Sequence, residues 1–393
     1  MLHWRSLVSA LKLAEPPRRA SMPVSKVYET SIDRLSILEP DGTFDESLGK
    51  GVIPDGDAVK LYEHIMLCRK FDEIAFKLQR SGRMGTYPEN RGQEATSLGA
   101  AYALESKDWL VTCYRENAGL FWRGLPMEKI LLHWMGDERG NQIDSELRVT
   151  PLAIPIGTQM LHAVGLAWAY KYQDSSSVSC TFFGDGATSE GDFHEAMNFA
   201  ANLDIPTLFF CQNNGWAISV PTSIQCSADV LAQRAVAYGM KTIQVDGNDI
   251  FAVVKAVRDA AAYMRETSKP AFIEATTYRL GDHTTADDAR RYRDAEEVEE
   301  WQGRDPVIRL RKYLEQRDLW NQSKQDEMEA RAEKTVAEVV KNAEGIEPPV
   351  TEDMFDSMYA SIPENLKTQR RTLRTSSLGQ DPSQLPVRDT ART

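Results

Sequence analysis

Apolar and polar positions follow two rhythms along the chain. Short runs rich in β-branched and aromatic residues, at 109–113, 178–183, 207–211, 241–245 and 271–277, predict buried strands. Between them, apolar residues three and four apart predict helices over 57–79, 93–104, 116–124, 127–134, 157–172, 187–203, 228–238 and 250–266. In the first of these, Val59, Tyr62, Ile65, Met66, Phe71, Ile74, Phe76 and Leu78 mark the buried side. Strands alternating with helices predict an α/β fold around a parallel sheet. Residues 1–57 read as a tail and a loop-rich lead-in, with strand-like pieces at 26–30 and 35–38. Residues 58–345 read as one α/β domain, closed by charged helices over 296–343. Its polar stretches 136–150 and 279–295 read as loops. Residues 346–393 read as a separate segment, disordered after about 370, where Ser, Thr, Arg and Pro dominate. No internal repeat is present.

Composition narrows the function classes. The chain has 393 residues, 42% of them hydrophobic, enough for a sizeable core. A net charge of −12 argues against a nucleic-acid binder, which carries a basic face. The five cysteines show no CxxC or zinc spacing, and Cys180 and Cys211 sit inside apolar strands. They read as buried thiols in a reducing compartment. No apolar run reaches the length of a membrane span. The first 19 residues are basic, with Arg5, Lys12, Arg18 and Arg19 against Glu15, and 11–17 reads as a weak helix. That composition resembles a mitochondrial presequence; an upstream start codon ahead of Met22, or a disordered tail, is the simpler reading.

The chemistry concentrates in 178–221. An apolar strand stops at Gly184-Asp185-Gly186, whose glycines allow a tight turn and close backbone approach. A predicted helix follows, then a second strand that runs into Gln212-Asn213-Asn214-Gly215. In open parallel sheets, ligands bind beyond the carboxyl ends of the strands. Asp185 and Asn214 are hard oxygen donors of the kind Mg²⁺ takes, with phosphate oxygens and water filling its remaining positions. A helix opening at the glycine turn would offer free N–H groups to an anion. Together these features point to a metal-bridged diphosphate. The dinucleotide pattern G-x-G-x-x-G and the phosphate loop G-x-x-x-x-G-K-[ST] are both absent, so hydride transfer and nucleotide hydrolysis lose their usual support.

GDG, a helix-length spacer and NN make up the thiamin-diphosphate fingerprint. The wider text GDGATSEGDFHEAMNFAA…FFCQNNGWAIS resembles the α subunit of the E1 component of 2-oxo acid dehydrogenase complexes, and the likeness runs from about Leu61 to Leu366. It implies the α/β thiamin-diphosphate-binding fold of diphosphate-binding type, a parallel sheet flanked by helices with a helical C-terminal region. It implies thiamin diphosphate and Mg²⁺ as cofactors, with Asp185, Asn214 and the carbonyl of Trp216 as metal ligands. Gly186 and Ala187 would offer backbone N–H groups to the diphosphate. Tyr114-Arg115 follows a strand, where arginine's planar fork suits phosphate oxygens; an isolated arginine more often ends in a surface ion pair. By resemblance this pair binds the diphosphate. Pyruvate-specific eukaryotic members carry a histidine two positions on, where this chain has Asn117.

In Ile154-Pro155-Ile156-Gly157-Thr158-Gln159, an isoleucine ordinarily signals core packing. The resemblance implies that Ile154 and Ile156 lie against the cofactor and that Ile156 holds its rings bent. Thr158 and Gln159 match a potassium-binding turn in some relatives. His283 lies in a polar loop with Arg279, Asp287 and Tyr292, and histidine's charge is easily set near neutral pH. By resemblance His283 is catalytic: it faces the diphosphate and substrate and helps transfer the acyl group to lipoamide. Arg279 belongs to the loop that orders on the cofactor. Thr284 stands where mitochondrial relatives carry a regulatory serine. Gln212 replaces an arginine of some branched-chain members.

One element is missing. Thiamin chemistry needs a carboxylate at the aminopyrimidine, and this chain has one fingerprint and one α/β domain. The resemblance therefore implies a separate E1 β subunit that supplies the glutamate, an α₂β₂ heterotetramer, and the lipoyl domain of E2 as acyl acceptor. Pyruvate is the expected substrate, on the likeness of MYASIPENL and WQGRDPVIRLRKYL to bacterial pyruvate members. Branched-chain 2-oxo acids are the alternative, on FFCQNNGWAISVPTS and VDGNDIFAV. The expected location is the bacterial cytoplasm, with the mitochondrial matrix as the alternative; no nucleic acid or membrane partner is expected. A non-catalytic paralogue and a Rossmann-type dehydrogenase are the competing readings. The retained Asp185, Asn214 and His283 count against the first, and the absent glycine fingerprint counts against the second.

Overall fold

The structure is a computed structural model that describes residues 26–348, 353–356 and 359–377. The basic segment 1–19, the 11–17 helix and the tail beyond 377 lie outside the described residues. The chain divides into a short unit, 1–32, and a large one, 33–393. Among the described residues of the short unit there is no strand at 26–30, and Val27 and Tyr28 are exposed.

The large unit is built on six parallel strands. In chain order they are β1 (Arg34–Leu35), β2 (Trp109–Val111), β3 (Ser179–Gly184), β4 (Thr207–Asn213), β5 (Lys241–Asp246) and β6 (Ala271–Thr276), and they lie side by side as β1-β5-β6-β4-β3-β2. The principal helices are α1 (Asp55–Arg80), α2 (Glu94–Ala103), α3 (Asn117–Trp122), α4 (Met127–Trp134), α5 (Thr158–Tyr172), α6 (Gly191–Asn202), α7 (Ile250–Thr267), α8 (Ala295–Gln302), α9 (Pro306–Gln316), α10 (Gln322–Glu344) and α11 (Glu364–Ser377). Helices cover both faces of the sheet, as strands apolar on both sides require. Phe182 and Phe210 meet at 5.4 Å on one face; Phe183 packs on Phe193 and Phe272, at 5.7 and 6.2 Å, on the other. No described helix is long and apolar enough to cross a membrane.

Five sequence expectations are corrected. The lead-in supplies β1, so the sheet begins before residue 58. The strand expected over 35–38 ends at Leu35, because the Ile37 and Leu38 N–H groups donate to the buried Asp249 carboxylate at 2.6 and 2.8 Å. The helix expected over 228–238 shrinks to Gln233–Val236, since Glu274 in mid-strand accepts the Ala232 N–H at 2.9 Å and holds that backbone to the sheet. Residues 364–377 are helical where composition suggested disorder after about 370; Glu364 pairs with Lys367 at 3.2 Å and Arg371 at 3.1 Å along the exposed face.

The fifth correction bears on the site. A single helix over 187–203 is replaced by a 3₁₀ turn, Asp185–Ser189, and then α6. The Asp185 and Gly186 carbonyls, which a continuous α-helix would use, accept from Gln225 Nε2 at 3.0 and 2.9 Å. Thr188 Oγ1 takes the Asp185 carbonyl as well, at 2.6 Å. Glu190 is extended, with φ −79° and ψ 148°, and separates the two pieces. The glycine turn therefore does not open the α-helix directly.

Candidate active site

Parallel strands bring all their carboxyl ends to one edge, and four of those ends surround a cavity of about 440 Å³. Residues 113–116 follow β2, 184–187 close β3, 212, 214 and 216–218 close β4, and Arg279, His283 and Thr284 follow β6. Gly184 and Gln212 face each other in the β3–β4 register, which carries Asp185 and Asn214 to neighbouring positions on this rim.

The strand-end floor is acidic and buried. Asp185 is 1% exposed; its Oδ2 accepts from Thr222 Oγ1 at 2.8 Å, and its Oδ1 has no partner. Burial pushes its pKa above the ordinary carboxylate value. Asn214 is buried, donating Nδ2 to Gln93 Oε1 at 3.1 Å and accepting the Trp216 N–H on Oδ1 at 3.3 Å. At Gly215, φ is +85°, and the chain turns there into the hairpin Trp216–Ala217 with Val220–Pro221. A Cβ on Gly186 would stand 2.9 Å from that of Ala217, so only glycine lets the 3₁₀ turn and the hairpin meet. No cluster of three or more His, Cys, Asp or Glu that could hold a metal exists among the described residues. A cation at Asp185 would have to complete its shell from carboxamide, carbonyl and ligand oxygens.

The opposite wall is cationic. Arg279, 1% exposed, donates through NH2 to the Ile218 carbonyl at 2.9 Å and the Tyr292 hydroxyl at 3.0 Å, while its Nε has no partner. Burial, then the nearby Arg115, lowers its pKa to about 10. Arg115 donates to the Glu89 carbonyl at 2.5 Å and the His283 carbonyl at 2.8 Å. His283 Nδ1 lies 3.3 Å from Arg279 NH1 and 3.5 Å from Arg115 NH2. Both neighbours only donate, so Nδ1 accepts and Nε2 carries the proton. Burial, then the two guanidinium groups, lowers the His283 pKa to about 4. Asp287 caps the loop, accepting the His283 N–H at 2.9 Å and the Tyr292 hydroxyl. The Tyr114 ring meets the His283 ring edge-on at 6.4 Å.

Ile154 and Ile156 stand at the mouth of the cavity, about half exposed, and Ala187 and Thr284 line it. Trp216 closes one side, donating Nε1 to Glu297 at 3.2 Å. Thr158 and Gln159 are not brought to this cavity and line a neighbouring cleft. Gln159 is buried there, with Nε2 on the Phe182 carbonyl at 2.9 Å and Oε1 without a partner.

Sequence reasoning missed Glu116. It is 1% exposed, lines the cavity, and accepts Gln212 Nε2 at 2.5 Å and the Arg115 N–H at 3.0 Å. Gln212 in turn accepts Thr96 Oγ1 at 2.5 Å. Burial raises the Glu116 pKa to about 7. The available signal was its position: an acid beside Arg115 at a strand end, next to the residue opening α3.

Comparison with known proteins now bears on this geometry. Residues 62–351 match the family described as dehydrogenase E1 component. The chain is 42% identical over 354 residues to the 3-methyl-2-oxobutanoate dehydrogenase subunit alpha of Mycobacterium tuberculosis, covering 90% of this chain and 96% of that one. It is 37% identical over 361 residues to the pyruvate dehydrogenase E1 component subunit alpha of Staphylococcus aureus, covering 90% and 97%.

Proposed function

The chain belongs to the dehydrogenase E1 component family, and on that premise we propose that it binds thiamin diphosphate through Mg²⁺ as the α subunit of a 2-oxo acid dehydrogenase complex. The observation that carries this reading is the pairing of unmet needs across one cavity. Asp185 keeps a buried oxygen without a partner on the floor, and Arg279 keeps a buried N–H without one on the facing wall. A divalent cation bridged to a diphosphate satisfies both at once. Asp185, Asn214 and the Trp216 carbonyl would hold the metal. Arg115, Tyr114, Arg279 and the backbone of Gly186 and Ala187 would hold the diphosphate. Ile154 and Ile156 would exclude water from the rings. Gln159 Oε1, also buried without a partner, fits a potassium-binding turn with Thr158.

When bound, thiamin diphosphate supplies the electron-accepting ring on which a 2-oxo acid loses CO₂. The chain's own residues then bind, orient and exclude water. Arg115 and Arg279 offset anionic charge in a cavity of low dielectric. His283, kept neutral by burial and then by the same two arginines, holds its proton on Nε2 and is the group able to move one during acyl transfer. The carboxylate for the aminopyrimidine is assigned to a β chain, in an α₂β₂ assembly that serves the lipoyl domain of E2. Pyruvate is the substrate proposed first. The higher identity to the 3-methyl-2-oxobutanoate relative favours a branched-chain 2-oxo acid as the second reading. The bacterial cytoplasm is the proposed location.

The test is a dye-coupled decarboxylation assay on the chain alone and co-purified with its β partner, using pyruvate and 3-methyl-2-oxobutanoate. Activity is expected only for the pair, and the ratio of kcat/KM values names the substrate. Turnover by the isolated chain would refute the divided site.

A further inference from the structure

One buried acid outside the cavity has no role in this scheme. Asp72 sits on α1, 2% exposed, and makes no ion pair among the described residues. Its Oδ1 accepts the Tyr87 hydroxyl at 2.5 Å and Asn90 Nδ2 at 3.3 Å, and its Oδ2 accepts the Asn90 N–H at 2.7 Å. All three donors belong to one segment, 86–90, whose Thr86 and Pro88 line the active-site cavity.

That segment is tied to both cationic elements. Tyr87 donates its N–H to Thr285 Oγ1 at 3.0 Å and accepts the Thr285 N–H at 2.9 Å, two residues beyond His283. The Glu89 carbonyl accepts Arg115 NH1. Asn117, two residues after Arg115, donates Nδ2 to the Tyr87 hydroxyl at 2.9 Å and its N–H to Asn90 Oδ1 at 3.0 Å.

We propose that Asp72 is a positioning residue of the active site, which fixes segment 86–90 from behind and so sets Arg115 and the His283 loop relative to each other. An apolar side chain would fill the same space without the cost of burying an acid. Burial pushes the Asp72 pKa up to about 7, and Glu89 and Glu94 add like charge. Among the described residues no ion pair offsets that cost; the three ordered donors do, and they are the ones that hold the cavity wall. Outer groups of this kind orient the residues that touch the ligand.

The cofactor half of this inference rests on the proposed function; its first readout does not. Trypsin is applied to the full chain and to D72N, Y87F and T285V, with nicking followed at Arg290 and Arg291, exposed residues of the His283 loop. Each variant is expected to be cut about tenfold faster than wild type, the effect of one lost buried hydrogen bond on local opening, and D72N with T285V no faster than the quicker single variant. Thiamin diphosphate with Mg²⁺ is then titrated calorimetrically into the chain co-purified with its β partner, with an expected loss of affinity of about tenfold in D72N. Y87F removes only one hydroxyl and carries the test if D72N fails to fold. Wild-type nicking in D72N and Y87F would overturn the proposal and leave Asp72 a core residue. Wild type that binds no thiamin diphosphate, with fast nicking in the variants, would sink the functional reading and leave the positioning role standing.

Discussion

Asp185 and Glu116 stand where regular elements end, and their surroundings are set by the β-ladder and by α3. Arg279 and His283 stand in a loop that holds itself together through Asp287, Tyr292 and the Ile218 carbonyl. Burial acts on both regions with opposite sign: it raises the two acids and lowers the arginine and the histidine. No ion pair joins Asp185 to either arginine, although all three line one cavity. Each region keeps an unmet charge that a ligand carrying both signs would satisfy. Opposed but unjoined charges are a stronger pointer to a ligand than either cluster alone.

The largest effect is expected on the floor. Asp185→Asn should weaken Mg²⁺-dependent binding of thiamin diphosphate by about a hundredfold, at the upper end for losing a metal-site contact. The same change removes a buried, half-satisfied carboxylate, so the ligand-free protein should melt higher, by an amount on the order of 1 kcal/mol. A D185N protein that titrates normally would break the comparison at its root. On the wall, Arg279→Met should cost about tenfold in cofactor affinity as one charge-assisted contact is lost. It should also move the His283 pKa from about 4 back toward 6.5, read by NMR titration of the imidazole. An unmoved value would mean that burial and Arg115 set it without Arg279.

His283→Ala should lower acyl transfer to lipoamide several-fold more than dye-coupled decarboxylation, since a positioned proton donor contributes chiefly to the step that uses it. Equal losses would reduce His283 to a cofactor contact. The smallest effects are in stability against pH, and there the two regions should slope oppositely. His283 binds its proton more weakly folded than unfolded, so its contribution favours folding increasingly as pH rises from about 4 to 6.5. Glu116 binds its proton more tightly folded, so its contribution is fully present below 4.5 and is lost as pH rises through about 7. Denaturant unfolding of H283A should therefore gain on wild type toward pH 4, and that of E116Q toward pH 8. Parallel slopes would show that the two regions do not differ as described.

The chain alone determined the strands, their parallel stacking and the placement of Asp185 and Asn214 at neighbouring strand ends. Those features depend on short continuous apolar runs and turn residues a few positions apart, which act locally. It also located Tyr114-Arg115 and His283 through a family pattern. Tertiary structure decided the rest, because the deciding partners are distant in sequence. Gln225 breaks the helix expected at Ala187 by taking carbonyls some forty residues upstream. Glu274 unwinds the helix expected over 228–238. Whether Arg279 and Arg115 share one histidine nitrogen, and whether Glu116 and Asp72 are buried, depends on which side chains converge around them. A carboxylate or guanidinium reads the same in sequence whether solvated or buried, and its proton affinity is set only when the fold removes the water.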